Sequence, residues 1–346
     1  MLNSDNNSIA ATLEECMTTP QGFKRLAFFT MLFAWCVVVL GAYVRLSHAG
    51  LGCPDWPGCY GEISPHHASE EIAAAVASKP SGPVSAPKAW KEMVHRYFAG
   101  TLGILILALC IQAWRLRKHL PTSPWLPTLL VGLVIFQAML GMWTVTWLLK
   151  PVVVTAHLLG GLATLGLLAW LAIDQIKLAA PARPGTLRFW AAAGLMVVII
   201  QITLGGWTST NYAALACTDF PLCNGAWVPP MDFANAFHLI RELGMTADGS
   251  YLSNEALSAI HWTHRLGAML TLLYLAWLVS RVIREEPLRR HGFIILALLL
   301  VQFTLGVSNV WLSLPLPVAV MHNAVAALLL VSMVALNTRL YRPSAL

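Results

Sequence analysis

Eight stretches of about 20 predominantly apolar residues recur along the 346-residue chain, each long enough to cross the hydrocarbon core of a bilayer. They lie near 25–46, 93–114, 125–147, 153–173, 189–209, 259–280, 292–313 and 318–337. A water-soluble core of this size has no use for eight such runs. In lipid each must be a helix, because every backbone N–H and C=O has to be satisfied within its own segment. The composition agrees, with 57% hydrophobic and only 11% charged residues. The expected fold is therefore an all-α polytopic membrane protein of eight transmembrane helices.

Orientation follows from the lysines and arginines. An even number of spans puts both termini on one side. That side collects Lys24, Arg25, Arg115, Arg117, Lys118, Lys177, Arg183, Arg188, Arg281, Arg284, Arg289, Arg290, Arg339 and Arg342, 14 of the 22 basic residues. The opposite side holds two long loops, about 46–92 and 210–258, which are less basic for their length. Both termini are thus expected in the cytoplasm and the long loops outside. The net charge of +6 is accounted for by this bias and calls for no nucleic-acid partner. The first 22 residues contain Asp5, Glu14 and Glu15 and lack an apolar core, unlike a cleaved signal or a transit peptide. The simplest address is a bacterial cytoplasmic (inner) membrane.

The chain carries an internal repeat. Residues 40–61, LGAYVRLSHAGLGCPDWPGCYG, align without a gap on 204–225, LGGWTSTNYAALACTDFPLCNG, at an offset of 164. Further on, Gln137, Gly141 and His157 match Gln302, Gly306 and His322 at an offset of 165. The natural division is two duplicated four-helix bundles in parallel orientation. It gives a cytoplasmic tail over 1–22, an N-terminal half over 23–174, a linker over 175–188, a C-terminal half over 189–338 and a tail over 339–346.

Four histidines occupy matched places in the halves: His95 and His157 in the first, His264 and His322 in the second. All four lie in helices that enter the membrane from outside, and each is expected within the first few residues of its helix. An imidazole in lipid needs something to hold it. Two helices offering one inward histidine each at the same depth can clamp a heme iron from both faces. Without nearby carboxylates or thiolates, such a pair makes a poor zinc or copper site.

Arginines accompany them. Arg96 and Arg265 follow a histidine directly, and Arg45 ends the first span. Each either neutralises a heme propionate or snorkels to the interface. The halves differ at one position. Glu92 stands three residues before His95, on the same helix face, and the matching residue in the second half is His261. A carboxylate beside one iron site and not the other is more than simple electron transfer needs, although Glu92 also suits a helix N-terminus as a solvated acid.

The outer loops carry Cys53 and Cys59, and Cys217 and Cys223, in the same spacing. Outside the cytoplasm disulfides form. Four cysteines allow three pairings, and repetition favours the local pairs Cys53–Cys59 and Cys217–Cys223. Cys16, Cys36 and Cys110 read as packing residues. The Ser-, Pro- and Ala-rich region 62–89 reads as mobile, with His66 and His67 at its surface, and Trp90, Trp125, Trp147, Trp262 and Trp311 as an interfacial belt.

Taken together, LGCPDWPGC, EMVHR, VTAHLLGG around His157, the His264-Arg265 pair and MHN around His322 resemble the heme A synthase family from about residue 25 to 337. The resemblance implies a membrane oxidoreductase that converts heme O to heme A by successive oxidation of a ring methyl to a formyl group, for cytochrome oxidase. It implies heme O as substrate on His95 and His157, and a heme b cofactor on His264 and His322. It also implies Glu92 as the catalytic carboxylate and Cys53/Cys59 as the functional cysteine pair. His261 is not required by the pattern and reads either as a residue supporting the ligand shell or, with the helix rotated, as an alternative ligand. Expected partners are heme O synthase, an electron donor (a ferredoxin-like protein or a quinol) and cytochrome oxidase assembly, with a homo-oligomer open. Two other readings share the four histidines: a di-heme b-type electron carrier, and a heme transporter or chaperone.

Overall fold

The computed structural model describes residues 19–176 and 185–341. Eight helices are long and apolar enough to span a membrane. They are α1 (Pro20–Leu46), α2 (Ala86–Arg115), α3 (Trp125–Thr146), α4 (Pro151–Asp174), α5 (Leu187–Thr210), α6 (Asn254–Val282), α7 (Arg289–Trp311) and α8 (Leu316–Tyr341). Among the described residues there is no β-strand, only isolated bridge pairs such as Cys59 with Glu62 and Cys223 with Ala226. Most of the expected tail 1–22 lies outside the described residues, as do Cys16, Lys177, Arg183 and Arg342.

Local chemistry sets the helix starts. Thr19 caps α1, its hydroxyl accepting from Gly22 N at 3.0 Å, with Pro20 as the first helical residue. Ser253 caps α6 in the same way through Ala256 N at 3.1 Å. The helix starts depart from the expected depths. Helices α2 and α6 begin at Ala86 and Asn254, well before their apolar stretches, so His95 and His264 lie nine and ten residues into their helices. His157 and His322 lie six residues into theirs.

Helices α1 to α4 pack in a closed ring, α1 on α2, α2 on α3, α3 on α4 and α4 on α1, and α5 to α8 do the same. Between the rings, α1 packs on α8, α4 on α5, and α4 on α8. Helices α4 and α8 are the most buried spans, 44% of each against 17–33% of the others, so they form the centre of the molecule. One hydrophobic core runs through both rings, from Phe23 and Ala27 through Leu165 and Leu168 to Leu275, Met333 and Leu336. Phe28, Phe29, Ile104, Leu129, Ile200 and Leu273 face outward, the side lipid would cover.

Backbone geometry recurs at the repeat offsets. His48 and Tyr212 are both left-handed (φ 53° and 55°), as are Tyr60 and Asn224, and Leu149 and Leu314. The region 62–89 departs from its expectation: it contains a ten-residue helix, Ser69–Ser78, and its last residues already belong to α2. Glu70 and Glu71 in the first turn of that helix complement its dipole, and Ile72 buries against the loop core with Ala68, Ala89 and Met93. His66 and His67 are exposed. Cys36 is exposed rather than packed inside, while Cys110 is half-buried beside Thr128.

Candidate functional site

The site is built where the helices meet the disulfide loops. Cys53 is bonded to Cys59 and Cys217 to Cys223. Each loop is then tied to itself by an aspartate: Asp55 accepts from Tyr60 N and Gly61 N, and Asp219 from Asn224 N and Gly225 N. The Gly225 N–H bonding the ionised form is the chief reason the exposed Asp219 carboxyl sits below the usual carboxylate range.

From beneath, α2 and α6 hold these loops. Arg96 donates to Asp55 O (2.8 Å) and Gly58 O (2.5 Å). Arg265 donates to Asp219 O (2.7 Å), Leu222 O (2.8 Å) and Cys217 O (2.8 Å). Glu92 is buried one turn before Arg96. Its Oε2 accepts from Gly52 N (2.8 Å) and Cys53 N (3.1 Å), and its Oε1 pairs with Arg96 at 2.5 Å. His261, equally buried, lies between Cys217 N and Arg265 Nε, 3.2 Å from each. Both its ring nitrogens therefore face the loop anchor.

Below this layer stand the four expected histidines. His95 and His157 are near enough to interact electrostatically, and so are His264 and His322. Each rests on a glycine of the neighbouring helix. A Cβ on Gly41 (α1) would lie 3.0 Å from His95 Cε1, and one on Gly205 (α5) 3.0 Å from His264 Cε1. The corresponding distances for Gly141 with His157 and Gly306 with His322 are 3.4 and 3.2 Å. Glycine is what allows the rings so close to a helix backbone.

The donor set suits heme iron. A tetrapyrrole brings four in-plane nitrogens and asks the protein for two axial ligands, which each half can offer as one imidazole pair. Among the described residues no group of three or more His, Cys, Asp or Glu could hold a bare metal ion. All four histidines are only partly buried, so a ligand can reach them. The Nδ1 atoms of His95 and His157 are buried without a partner, a polar requirement that the protein alone leaves unmet.

Arg45 lies at the seam of the two rings. Its Nη2 donates to Ser209 O at 2.7 Å, its guanidinium covers the Tyr212 ring at 4.0 Å, and its Nε is buried and unpaired. Two glutamines that sequence reasoning missed complete the picture: Gln201 Nε2 lies 3.0 Å from His264 Nδ1, and Gln302 Nε2 lies 3.3 Å from His322 Nδ1. The Gln137/Gln302 match signalled the second. Gln201 had no signal, because the repeat places Val37 opposite it.

A family model described as "cytochrome oxidase assembly protein" matches residues 24–334. A heme A synthase of Shewanella oneidensis is 43% identical over 319 residues, 91% of this chain and 96% of that protein. Heme A synthases of Shouchella clausii (30% identical, 60% of this chain and 66% of that protein) and Halalkalibacterium halodurans (27%, 87% and 92%) are also similar. With eight apolar helices, two disulfide-tied loops and a match over nearly all its length, the chain belongs to the cytochrome oxidase assembly protein family.

Proposed function

We propose that this protein is a heme A synthase: it converts heme O to heme A, the heme that cytochrome oxidase requires. The observation that carries the reading is a repeated bis-histidine site with one acidic exception, Glu92, in a chain 43% identical to a heme A synthase. In this reading the protein is an oxidoreductase of the bacterial cytoplasmic membrane, with its termini inside and both disulfide loops outside. Heme O is the substrate, held by His95 and His157 in the half spanning 23–174. Heme b is the resident cofactor of the half spanning 189–338, held by His264 and His322. When bound, heme b supplies one-electron transfer to the substrate side. A ferredoxin-like protein or a quinol is the electron donor, and heme O synthase supplies the substrate.

The chain's own residues divide the remaining work. Glu92 is the carboxylate one turn from His95, where it can hold or pass a proton at the edge of the substrate. Arg96 and the loop amides keep it in place. The disulfide loops cover the outer side and exclude water. Of the three arginines read as propionate partners, Arg45 has donor capacity to spare. Arg96 and Arg265 already bond loop carbonyls. His261 supports the second loop and is not a ligand.

The test is heme extraction from cells that make heme O but no heme A, expressing this chain, with separation by reversed-phase chromatography and mass detection. Heme A or its hydroxylated precursor is expected. Heme B and heme O alone, with two low-spin hemes on the purified protein, would instead indicate a di-heme electron carrier.

A further inference from the structure

We infer that Phe98, Phe33 and Phe29, stacked in a row along the exposed side of α1 and α2, form the track on which the first half holds the isoprenoid tail of heme O. The row would thereby tell heme O from heme b. The inference rests on the assignment of heme O to the first half and heme b to the second.

The two hemes of that assignment share the same iron and the same ring carboxylates. They differ in one substituent: heme O carries a hydroxyethylfarnesyl chain where heme b carries a vinyl group. Iron ligands cannot make this distinction, and the histidine pairs are matched in the two halves. A half that selects heme O therefore needs an apolar surface that begins at its histidine and that the other half lacks.

The first half has such a surface. Phe98 follows His95 by three residues, on the same side of α2 and about 4.5 Å further from the disulfide loop. Its ring stacks on Phe33 of α1 with centroids 5.5 Å apart and planes 6° apart, and Phe33 stacks on Phe29 at 6.0 Å and 26°. Phe33 packs against the core, whereas Phe98 and Phe29 are 40% and 55% exposed, so the row opens to the lipid side. None of the three rings has a counterpart. The repeat sets Gly267 opposite Phe98, Val197 opposite Phe33 and Ala193 opposite Phe29. At Gly267 the second half fills the seam with its own side chains: a Cβ there would lie 2.4 Å from Gln201 Oε1 and 2.9 Å from Leu204 Cδ1. The aromatic row thus begins one turn from the histidine in one half, and the same place is closed in the other.

The tail leaves the porphyrin on the side away from its propionates. With the propionates toward the loops, it runs along the spans in the direction of the row. In a bilayer the chain has no water to escape, so the row acts by shape and dispersion rather than by the hydrophobic effect. Rings held rigid by their own stacking offer an ordered face that fluid lipid does not. Binding energy from this unreactive part of the substrate then helps to orient the ring between His95 and His157.

The test reconstitutes the full-length protein in nanodiscs with its heme b and offers ferric heme O and heme B in equal amounts. Bound hemes are extracted and separated by reversed-phase chromatography, and uptake by His95→Ala protein is subtracted as that of the second half. Wild type is expected to take heme O over heme B. Phe98→Gly with Phe33→Val, which copies the second half, is expected to lower the ratio of heme O to heme B roughly threefold to tenfold, with heme B uptake unchanged. Phe29→Ala, which removes an exposed ring, is expected to lower it less. No preference for heme O in wild type, or an unchanged ratio in both variants, would overturn the inference. Equal loss of both hemes in the double variant marks a packing role, and with an unchanged ratio in Phe29→Ala it overturns the inference too. Heme O uptake by His95→Ala equal to that of wild type would instead overturn the assignment of heme O to the first half.

Discussion

Glu92 and His261 occupy the same place in the two halves, one turn before the arginine that holds the disulfide loop, and each meets the amide of the first loop cysteine, Cys53 or Cys217. They do not do this equally well. A carboxylate has lone pairs for several donors and satisfies Gly52 N, Cys53 N and Arg96 at once. A neutral imidazole has one acceptor nitrogen, so His261 can accept from Cys217 N or from Arg265 but not from both. The first loop is therefore anchored more firmly, over the half that carries the carboxylate.

Glu92→Ala is expected to stop heme A formation and also to loosen the first loop. It leaves two buried amides and one arm of the half-buried Arg96 guanidinium without their acceptor, a cost of roughly 1–3 kcal/mol. Glu92→His, which copies the second half, is expected to keep part of the anchoring and none of the turnover. Proteolysis of the first disulfide loop reads the anchoring, and extracted hemes read the turnover. Heme A formation by Glu92→Ala at the wild-type rate would remove Glu92 from the chemistry.

Installing the carboxylate in the other half tests the same logic from the opposite side. His261→Glu is expected to slow cleavage of the loop around Cys217 by supplying acceptors for both Cys217 N and Arg265. Heme A yield should stay unchanged, since the added acid stands over the cofactor site. Faster cleavage of that loop would contradict the acceptor argument.

The glycines beneath the histidines are expected to be intolerant. Gly205→Val puts side-chain atoms where His264 Cε1 lies and is expected to deplete heme from the second half, read as loss of its low-spin absorbance; Gly41→Val does the same for the first. Gly103 and Gly132 have nothing within 4 Å of a built Cβ. There Gly→Ala is expected to leave heme content intact and raise helix stability by up to about 1 kcal/mol.

The Asp219 turn gives a pH prediction. Its carboxyl is held below the ordinary range by Gly225 N–H, so the ionised form belongs to the ordered loop. That contribution is present above the ordinary carboxylate pKa and is lost as pH falls through the lowered value. Protection of the Asn224 and Gly225 amides from exchange, relative to the unfolded chain at the same pH, is therefore expected to persist through neutral and mildly acidic pH and to be lost in strong acid. Asp219→Asn should exchange fast throughout, and protection surviving in that variant would rule out the carboxylate as its source.

Much of this protein is legible in its sequence because a bilayer leaves the chain few choices. Unpaired backbone groups cannot be tolerated in hydrocarbon, so eight apolar runs had to become eight helices; six of the expected spans fall within one of them, and those at 125–147 and 292–313 overrun their helices by one and two residues. The repeat register was readable for a similar reason: Gly41, Gly205, Gly141 and Gly306 were matched letters before they were contacts. The loop pairs Cys53–Cys59 and Cys217–Cys223 needed only short-range chain geometry.

What the tertiary structure alone decided is what each polar side chain touches. Arg96 and Arg265 read equally well as propionate partners, and only the fold brings loop carbonyls within their reach. Spacing put Glu92 beside His95, while its bonds to Gly52 and Cys53 depend on a loop about 40 residues away folding back over α2. Gln201 went unnoticed because the repeat places Val37 opposite it, and a one-dimensional pattern holds no record that it meets His264 on another helix. Sequence periodicity specifies which segments enter the membrane; the packing of helix against helix specifies which atoms meet there.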